Sequence, residues 1–119
     1  MIVLTSDVRV EKRVLHFVFE NYVAAVERAG GLPLHVPPLD PARVPQVLEI
    51  AHGFVFVGGE DLDPHLYGEE PDAHYDPAPA DRQAFDMALG RALLYTKHPV
   101  LGICYGCQLL TIVSGGARA

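Results

Sequence analysis

The stretch VLGICYG, residues 100–106, decides the expected fold because an apolar run meets a cysteine flanked by glycines. Val100–Ile103 has the short apolar character of a buried strand, and a helix-forming segment follows Cys104 directly. Gly102 and Gly106 lie two residues to either side, which is the G-x-nucleophile-x-G elbow with cysteine in place of serine. Such a turn presents its side chain at the carboxyl edge of a parallel sheet, where open α/β folds bind ligands. Cys104 is therefore the candidate nucleophile, and its place at a helix N-terminus favours the thiolate.

Upstream of the elbow, short apolar runs alternate with segments of helical period, which is typical of a parallel α/β sheet. The predicted strands are Met1–Leu4, Leu32–Val36, Phe54–Val57 and Val100–Ile103. The first predicted helix is Val14–Ala29, and the second covers 41–50 after an N-cap at Asp40. The third follows an N-cap at Asp81 and has an apolar face that extends to Leu93. The last helix follows Cys104 and extends to Val113. We therefore expect an open parallel sheet of four strands, flavodoxin-like, with helices on both faces.

Composition narrows the class of protein. Half of the 119 residues are hydrophobic and the net charge is −6, which indicates a globular protein and argues against a nucleic-acid partner. No apolar run is long enough to span a membrane and no signal peptide is evident at the N-terminus, so we expect a cytoplasmic protein. Eight carboxylates and four prolines fall within residues 60–81, without Lys or Arg, which predicts a long acidic loop. We interpret this loop as solvated rather than as a metal site, and expect no cofactor.

The two cysteines allow a second interpretation. Cys104 and Cys107 form a C-x-x-C motif that opens a helix, as redox thiols do. The motif follows the fourth predicted strand, whereas thioredoxin-like motifs follow an early one, so the nucleophile interpretation is favoured. Cys107 is then expected to face the sheet as a small core residue.

Four segments together resemble the class I glutamine amidotransferases, and most closely their gamma-glutamyl hydrolase branch, which acts on gamma-glutamyl-gamma-aminobutyrate and related compounds. The segments are YVAAVERAGGLPLHVPPL (22–39), GGEDLDPHLYGEEP (58–71), DRQAFDMAL (81–89) and PVLGICYGCQLL (99–110), the last followed by Gly115-Gly116. The chain departs from the branch at Tyr105, where arginine is more usual, and at Cys107, where methionine is common. Tyrosine at the first of these positions occurs elsewhere in the class.

The resemblance implies hydrolysis of a gamma-glutamyl amide through a thioester, with Cys104 as the nucleophile. It implies an oxyanion hole made by the N–H groups of Tyr105 and Gly59, with Gly58 shaping the turn beside the substrate. Gln108 matches a glutamine that helps to hold the substrate. The implied partner is a small gamma-glutamyl compound or free glutamine, with a homo-oligomer or a synthase subunit as a further partner.

The family takes its histidine and glutamate from a W-H-P-E-like motif further along the chain than Ala119. Four of the six histidines are placed away from the elbow: His52 and His98 precede strands, and His16 and His35 lie within predicted elements. Only His65 and His74, in the acidic loop, are expected at the correct edge of the sheet, and a loop histidine is more often solvated than catalytic.

Residues 1–119 therefore resemble the N-terminal half of a single amidotransferase-like domain. Three functions remain open for the chain at this point. The first is hydrolysis of gamma-glutamyl compounds, and the second is the delivery of ammonia to a synthase by an amidotransferase subunit. The third is a role outside this chemistry, as a truncated non-catalytic module or as a C-x-x-C redox protein.

Overall fold

The computed structural model describes residues 1–10, 12–58 and 80–115. Its elements follow in the order β1 (Ile2–Leu4), β2 (Asp7–Val10), β3 (Val14–Phe17), α1 (Glu20–Arg28), β4 (Pro33–His35), a 3₁₀ turn (Pro41–Arg43), α2 (Val44–Ile50), β5 (Gly53–Phe56), α3 (Ala80–Leu93), β6 (Val100–Gly102) and α4 (Tyr105–Val113).

Four of the strands form one parallel sheet in the order β4-β1-β5-β6. These are the four strands that the sequence predicts, so the predicted sheet is confirmed. Numbered along the chain they stand in the order 2-1-3-4, which is the beginning of the flavodoxin-like arrangement. The register pairs Val3 with Phe54 and Phe56 with Gly102, so the carboxyl ends of β1, β5 and β6 meet at one edge.

Successive side chains of each strand point to opposite faces of the sheet, and the two faces have different surroundings. Val3, Phe54 and Phe56 are buried in the main core together with residues of α2, α3 and α4. Ile2 and Val55 point the other way and line a cavity beside α1. Helices therefore lie on both faces, as expected for an α/β sheet of this class.

The prediction of a helix over Val14–Ala29 is wrong in its first part. Val14–Phe17 is strand β3, which pairs antiparallel with β2 in a hairpin outside the main sheet, with His16 opposite Val8. The apolar residues of this stretch fit a helical spacing, but β-branched and aromatic side chains also suit a pleated pair, and the partner strand decides between them. Helix α1 begins only at Glu20.

The two predicted N-caps have different outcomes. The Asp40 carboxylate accepts a hydrogen bond from the Ala42 amide at 2.9 Å, with Pro41 in the first position, so this cap is confirmed. Asp81 lies inside the first turn of α3, which begins at Ala80, so it is not the N-cap. Its carboxylate accepts from the Arg82 amide and still places negative charge at the helix N-terminus. Among the described helices, none is long and apolar enough to cross a membrane.

Candidate active site

The connection between β6 and α4 is a sharp turn centred on Cys104. The residue has φ 51° and ψ −107°, and it is the only described non-glycine residue with a positive φ. It stands at the N-cap position of α4, immediately after the strand, and its thiol is exposed. The predicted strand before the cysteine and the predicted helix after it are both present. A non-glycine residue in this backbone region is strained, and such strain is concentrated at functional sites.

The two flanking glycines are required by close approaches of the backbone. A Cβ atom on Gly102 would lie 2.7 Å from the carbonyl carbon of Gly106, and one on Gly106 would collide with the carbonyl oxygen of Phe56. Neither neighbour is a flexible side-chain end that could move aside. The turn is therefore possible only because both positions lack side chains.

The end of β5 lies against the elbow. The Ile103 amide donates to the Phe56 carbonyl at 3.0 Å, which extends the β5–β6 pairing up to the cysteine. A Cβ atom built on Gly58 would lie 3.5 Å from the Cβ of Cys104, so Gly58 lies beside the cysteine. Gly59, the other predicted oxyanion donor, lies outside the described residues, together with the acidic segment through residue 79.

Three neighbours of Cys104 on α4 have distinct environments. Tyr105 is the first residue of the helix and is 1% exposed. Gln108 is half-buried, and its Oε1 has no hydrogen-bond partner among the described residues. Cys107 is exposed, which corrects the prediction that it faces the sheet. The helix turns its apolar residue Leu109 into the core instead, and Leu109 is fully buried.

A buried charged cluster, which the sequence did not reveal, lies directly beneath the elbow. The guanidinium of Arg82 is fully buried; its Nη1 donates to Asp7 Oδ1 at 2.8 Å and its Nη2 to the Gly58 carbonyl at 3.0 Å. Its central carbon lies 3.9 Å from the centre of the Tyr105 ring. The signal that could have indicated this cluster is the Arg82–Asp86 pair, spaced i,i+4 on an otherwise apolar helix face.

Asp86 completes the cluster at the turn below Arg82. Its Oδ2 lies 3.6 Å from Arg82 Nε, and the residue is 1% exposed. Burial raises the pKa of Asp86 to about 7, against the opposing effects of Arg82 and the Tyr105 side chain, which favour the ionised form. The carboxyl therefore changes its protonation near neutral pH.

The described histidines lie away from Cys104. His52 contacts the Met1 amino group at 2.8 Å and His98 Nε2 lies 3.2 Å from the Leu48 carbonyl, both at the amino end of the sheet. His16 lies in strand β3, not in a helix as predicted, and His35 Nε2 lies 2.7 Å from the Ser6 hydroxyl. Burial, and to a smaller extent the charge of His16, lower the pKa of His35.

His35 ends β4, which stands three strand positions from β6 and so roughly 14 Å away at the usual spacing of ~4.8 Å. His65 and His74 lie outside the described residues, as do the carboxylates Glu60, Asp61 and Asp63. Within the ranges that the structure describes, no group of three or more His, Cys, Asp or Glu residues could hold a metal ion.

A cysteine on a strand-to-helix elbow, at the carboxyl edge of an open parallel sheet, is consistent with an α/β domain of the class I glutamine amidotransferase type. The peptidase C26 profile matches residues 3–118, which is nearly the whole chain. The chain belongs to the peptidase C26 family.

Individual relatives agree with this assignment. A glutamine amidotransferase-like protein of Mycobacterium tuberculosis H37Rv, Rv2859c, is 42% identical over 98 residues, covering 81% of this chain and 32% of the relative. The gamma-glutamyl-gamma-aminobutyrate hydrolase PuuD of Escherichia coli K12 is 38% identical over 104 residues, covering 82% of this chain and 39% of the relative. Protein NtpR of Enterococcus hirae is 32% identical over 98 residues, covering 82% of this chain and 41% of the relative. The chain thus spans between a third and two fifths of the length of these relatives.

Proposed function

We propose that this chain supplies the nucleophile of a hydrolase that cleaves gamma-glutamyl amide bonds. The observation that carries the proposal is the strained backbone of Cys104, held between β6 and α4 by two glycines that cannot be replaced. A positive φ at a non-glycine residue costs on the order of 1–3 kcal/mol and persists only where the surrounding structure imposes it. The family assignment and the hydrolase among the relatives support gamma-glutamyl amides as the substrate class.

In the proposed reaction, a base removes the thiol proton of Cys104 and the sulfur bonds to the gamma-carbonyl carbon. The carbonyl electron pair moves onto oxygen, giving a tetrahedral oxyanion. When that pair returns, the carbon–nitrogen bond breaks, the amine leaves with a proton from an acid, and a thioester remains. Water then adds to the thioester, and the thiolate leaves as the gamma-carboxylate forms.

The amides proposed to bind the oxyanion are those of Tyr105 and Gly59. Tyr105 begins α4, and the N-terminus of a helix carries its positive end, which favours a developing negative charge. Gly58 is proposed to leave room for the substrate beside the thiol, and Gln108 to contact the gamma-glutamyl group. The half-buried Gln108 side chain, with its Oε1 lacking a partner among the described residues, supports that contact.

The base and the acid are proposed to come from residues outside those that the structure describes. None of the four described histidines lies at the elbow, since two are at the opposite sheet edge and two are on β3 and β4. The proposed catalytic unit is therefore completed by other residues of the polypeptide.

A second candidate function is glutamine hydrolysis that supplies ammonia to a synthase. It is favoured by the glutamine amidotransferase-like relative at 42% identity. The two candidates use the same thioester chemistry and differ in the amine that leaves.

The test is covalent labelling of the thiol by a diazoketone analogue of glutamine, followed by mass spectrometry. We expect one label on Cys104 in the wild type, complete loss of labelling and of hydrolysis in C104A, and unchanged labelling in the matched control C107A. Hydrolysis that survives in C104A would overturn the nucleophile assignment, and dependence of the activity on Cys107 would favour the redox interpretation. Turnover of a gamma-glutamyl amide without a partner, faster than that of free glutamine, separates the hydrolase from the amidotransferase.

A further inference from the structure

Arg82 is the most deeply buried charged residue of the described chain and joins four elements. Its side chain is 0% exposed and comes from α3. It donates to Asp7, the first residue of β2, and to the carbonyls of Val57 and Gly58 after β5, at 2.8, 3.2 and 3.0 Å. Its planar face lies against the ring of Tyr105, the first residue of α4.

The burial of this guanidinium is not explained by stability alone. Removing an ion pair from water costs several kcal/mol, and replacing it by apolar side chains of similar volume is often neutral or stabilising. A rigid fork of five donors, however, can hold several acceptors in fixed relative positions, which neither an apolar side chain nor lysine can do. Two of the groups held by Arg82, Gly58 and Tyr105, are on either side of Cys104.

The contact with the Gly58 carbonyl fixes the chain where it leaves β5 beside the elbow. A Cβ atom built on Gly58 would lie 3.5 Å from the Cβ of Cys104, so the position of Gly58 sets the space beside the nucleophile. A hydrogen bond from a charged donor is roughly twice as strong as a neutral one, so the guanidinium restrains this carbonyl strongly.

The contact with the Tyr105 ring acts on the residue whose amide is proposed to bind the oxyanion. A cation against an aromatic face in a desolvated site is worth about 2 kcal/mol, and here it restrains the residue that bears this N–H. Asp86, one turn further along α3, lies 3.6 Å from Arg82 Nε and faces the same side chain.

We propose that Arg82 is a positioning residue that fixes Gly58 and the proposed oxyanion-binding amide of Tyr105 around Cys104 by holding the Gly58 carbonyl and the Tyr105 ring. This role rests on the proposed function. Arg82 acts through the backbone and does not itself touch the reacting atoms.

The test uses a probe that needs the oxyanion hole and one that does not, in the full polypeptide that carries these residues. Glutarate semialdehyde, which matches the gamma-glutamyl chain but lacks the α-amino group and so cannot cyclise to an imine, accepts the Cys104 thiolate at its carbonyl carbon. The carbonyl pair moves to oxygen, nothing leaves, and the thiol proton passes to water. Iodoacetamide instead alkylates the thiol by displacement of iodide and forms no oxyanion.

For R82M we expect the dissociation constant of the aldehyde to rise about 10- to 100-fold and kcat to fall comparably, with KM nearly unchanged, because the oxyanion forms only after binding. The rate of iodoacetamide alkylation should stay within about threefold of the wild type. R82K should resemble R82M, since an ammonium group cannot reproduce the fork. R91M, the same substitution at an exposed arginine of the same helix, should match the wild type.

A folded R82M with wild-type aldehyde affinity and kcat would overturn the role of Arg82, as would equal losses with both probes. If R82M and R82K do not fold, D7N provides the measurement, because it removes one partner of Arg82 at a side chain that is 12% exposed. We expect about threefold weaker aldehyde binding in D7N, and unchanged binding would count against the proposal. A wild type that forms no Cys104 adduct with the aldehyde and hydrolyses no gamma-glutamyl amide would overturn the proposed function, and the role of Arg82 with it.

Discussion

Two of the described turns with a positive φ, at Gly30 and at Cys104, have surroundings that are opposite in character. Gly30, which follows α1, has φ 86°, and a Cβ atom built there would meet nothing within 4 Å. Cys104, which precedes α4, has φ 51°, carries a side chain, and is bordered by glycines whose Cβ atoms would collide with the backbone. The first turn is an ordinary helix end in which glycine avoids strain, whereas the second accepts strain at the one residue that carries a reactive group.

The difference shows where the fold expends stability. At Gly30 the positive φ causes no strain because the residue is glycine, and a Cβ atom there would meet nothing within 4 Å. At Cys104 the conformation is unfavourable for its residue and is imposed by close β5–β6–α4 packing, with the Arg82 cluster beneath. Three comparisons between variants test this contrast.

The largest effect is expected for G106A. The new Cβ would overlap the Phe56 carbonyl oxygen, so either the end of β5 or the start of α4 must shift. We expect a loss of about 3 kcal/mol or more in the free energy of unfolding, measured by urea denaturation.

The matched control for that substitution is G90A, within α3. The Cβ there would lie 2.9 Å from Leu109 Cδ2, the far end of a flexible side chain, and alanine favours a helix by about 1 kcal/mol over glycine. We expect a change of about 1 kcal/mol or less. Equal losses in G90A and G106A would show that the elbow is no more tightly packed than the helix interface.

A pH-dependent effect of a few kcal/mol is expected for D86N in the cluster beneath the elbow. The pKa of Asp86 is raised from 3.8 to about 7, so between these values the folded state holds a proton that the unfolded state has released. The carboxyl ionises in the unfolded state but not in the folded state, so the stability of the wild type falls as the pH rises from about 4 to about 7.

D86N lacks this titration, so its stability relative to the wild type should increase across that interval, by on the order of a few kcal/mol. Urea unfolding of both proteins at several pH values measures the difference, in which the titrations of other groups cancel. Parallel pH profiles would contradict the raised pKa.

The smallest effect, and the most direct test of the two turns, compares C104G with C104A. Glycine relieves the strain at this position and alanine does not, so C104G should be more stable than C104A by about 1 kcal/mol. G30A should change stability by a similar amount in the opposite direction, because it introduces a side chain at φ 86°. If C104G and C104A unfold at the same urea concentration, the backbone at residue 104 is not strained.

Much of the sheet was predictable because its signals are local. Each sheet strand is a short apolar run between turn residues, and Phe54 and Phe56 are buried in the core as a strand of this kind requires. The elbow was predictable for a related reason. Only glycine fits where two backbone segments approach closely, so the glycines two residues before and after Cys104 indicate a tight turn.

The hairpin and the charged cluster were not predictable in this way. Val14–Phe17 becomes a strand because β2 pairs with it, and pairing is not visible in either segment alone. From the sequence alone, Arg82 would be interpreted as an exposed charge on a helix. Its partners are Asp7, which lies 75 residues earlier, and the carbonyls after β5, and only the folded chain places them beside the guanidinium. The small side chain of Cys107 suggests a position in the core. In the structure, the orientation of α4 buries Leu109 and leaves Cys107 exposed.

Local signals in the sequence are enough to predict the parallel α/β class, the four strands of the sheet and the position of Cys104 between a strand and a helix. These properties follow from hydrophobic periodicity and from glycines, which act over a few residues. Which charged side chains are buried, and which backbone groups they contact, depends on the tertiary structure. The partners of Arg82 are far apart along the chain, and only the fold brings them within hydrogen-bond distance of one guanidinium.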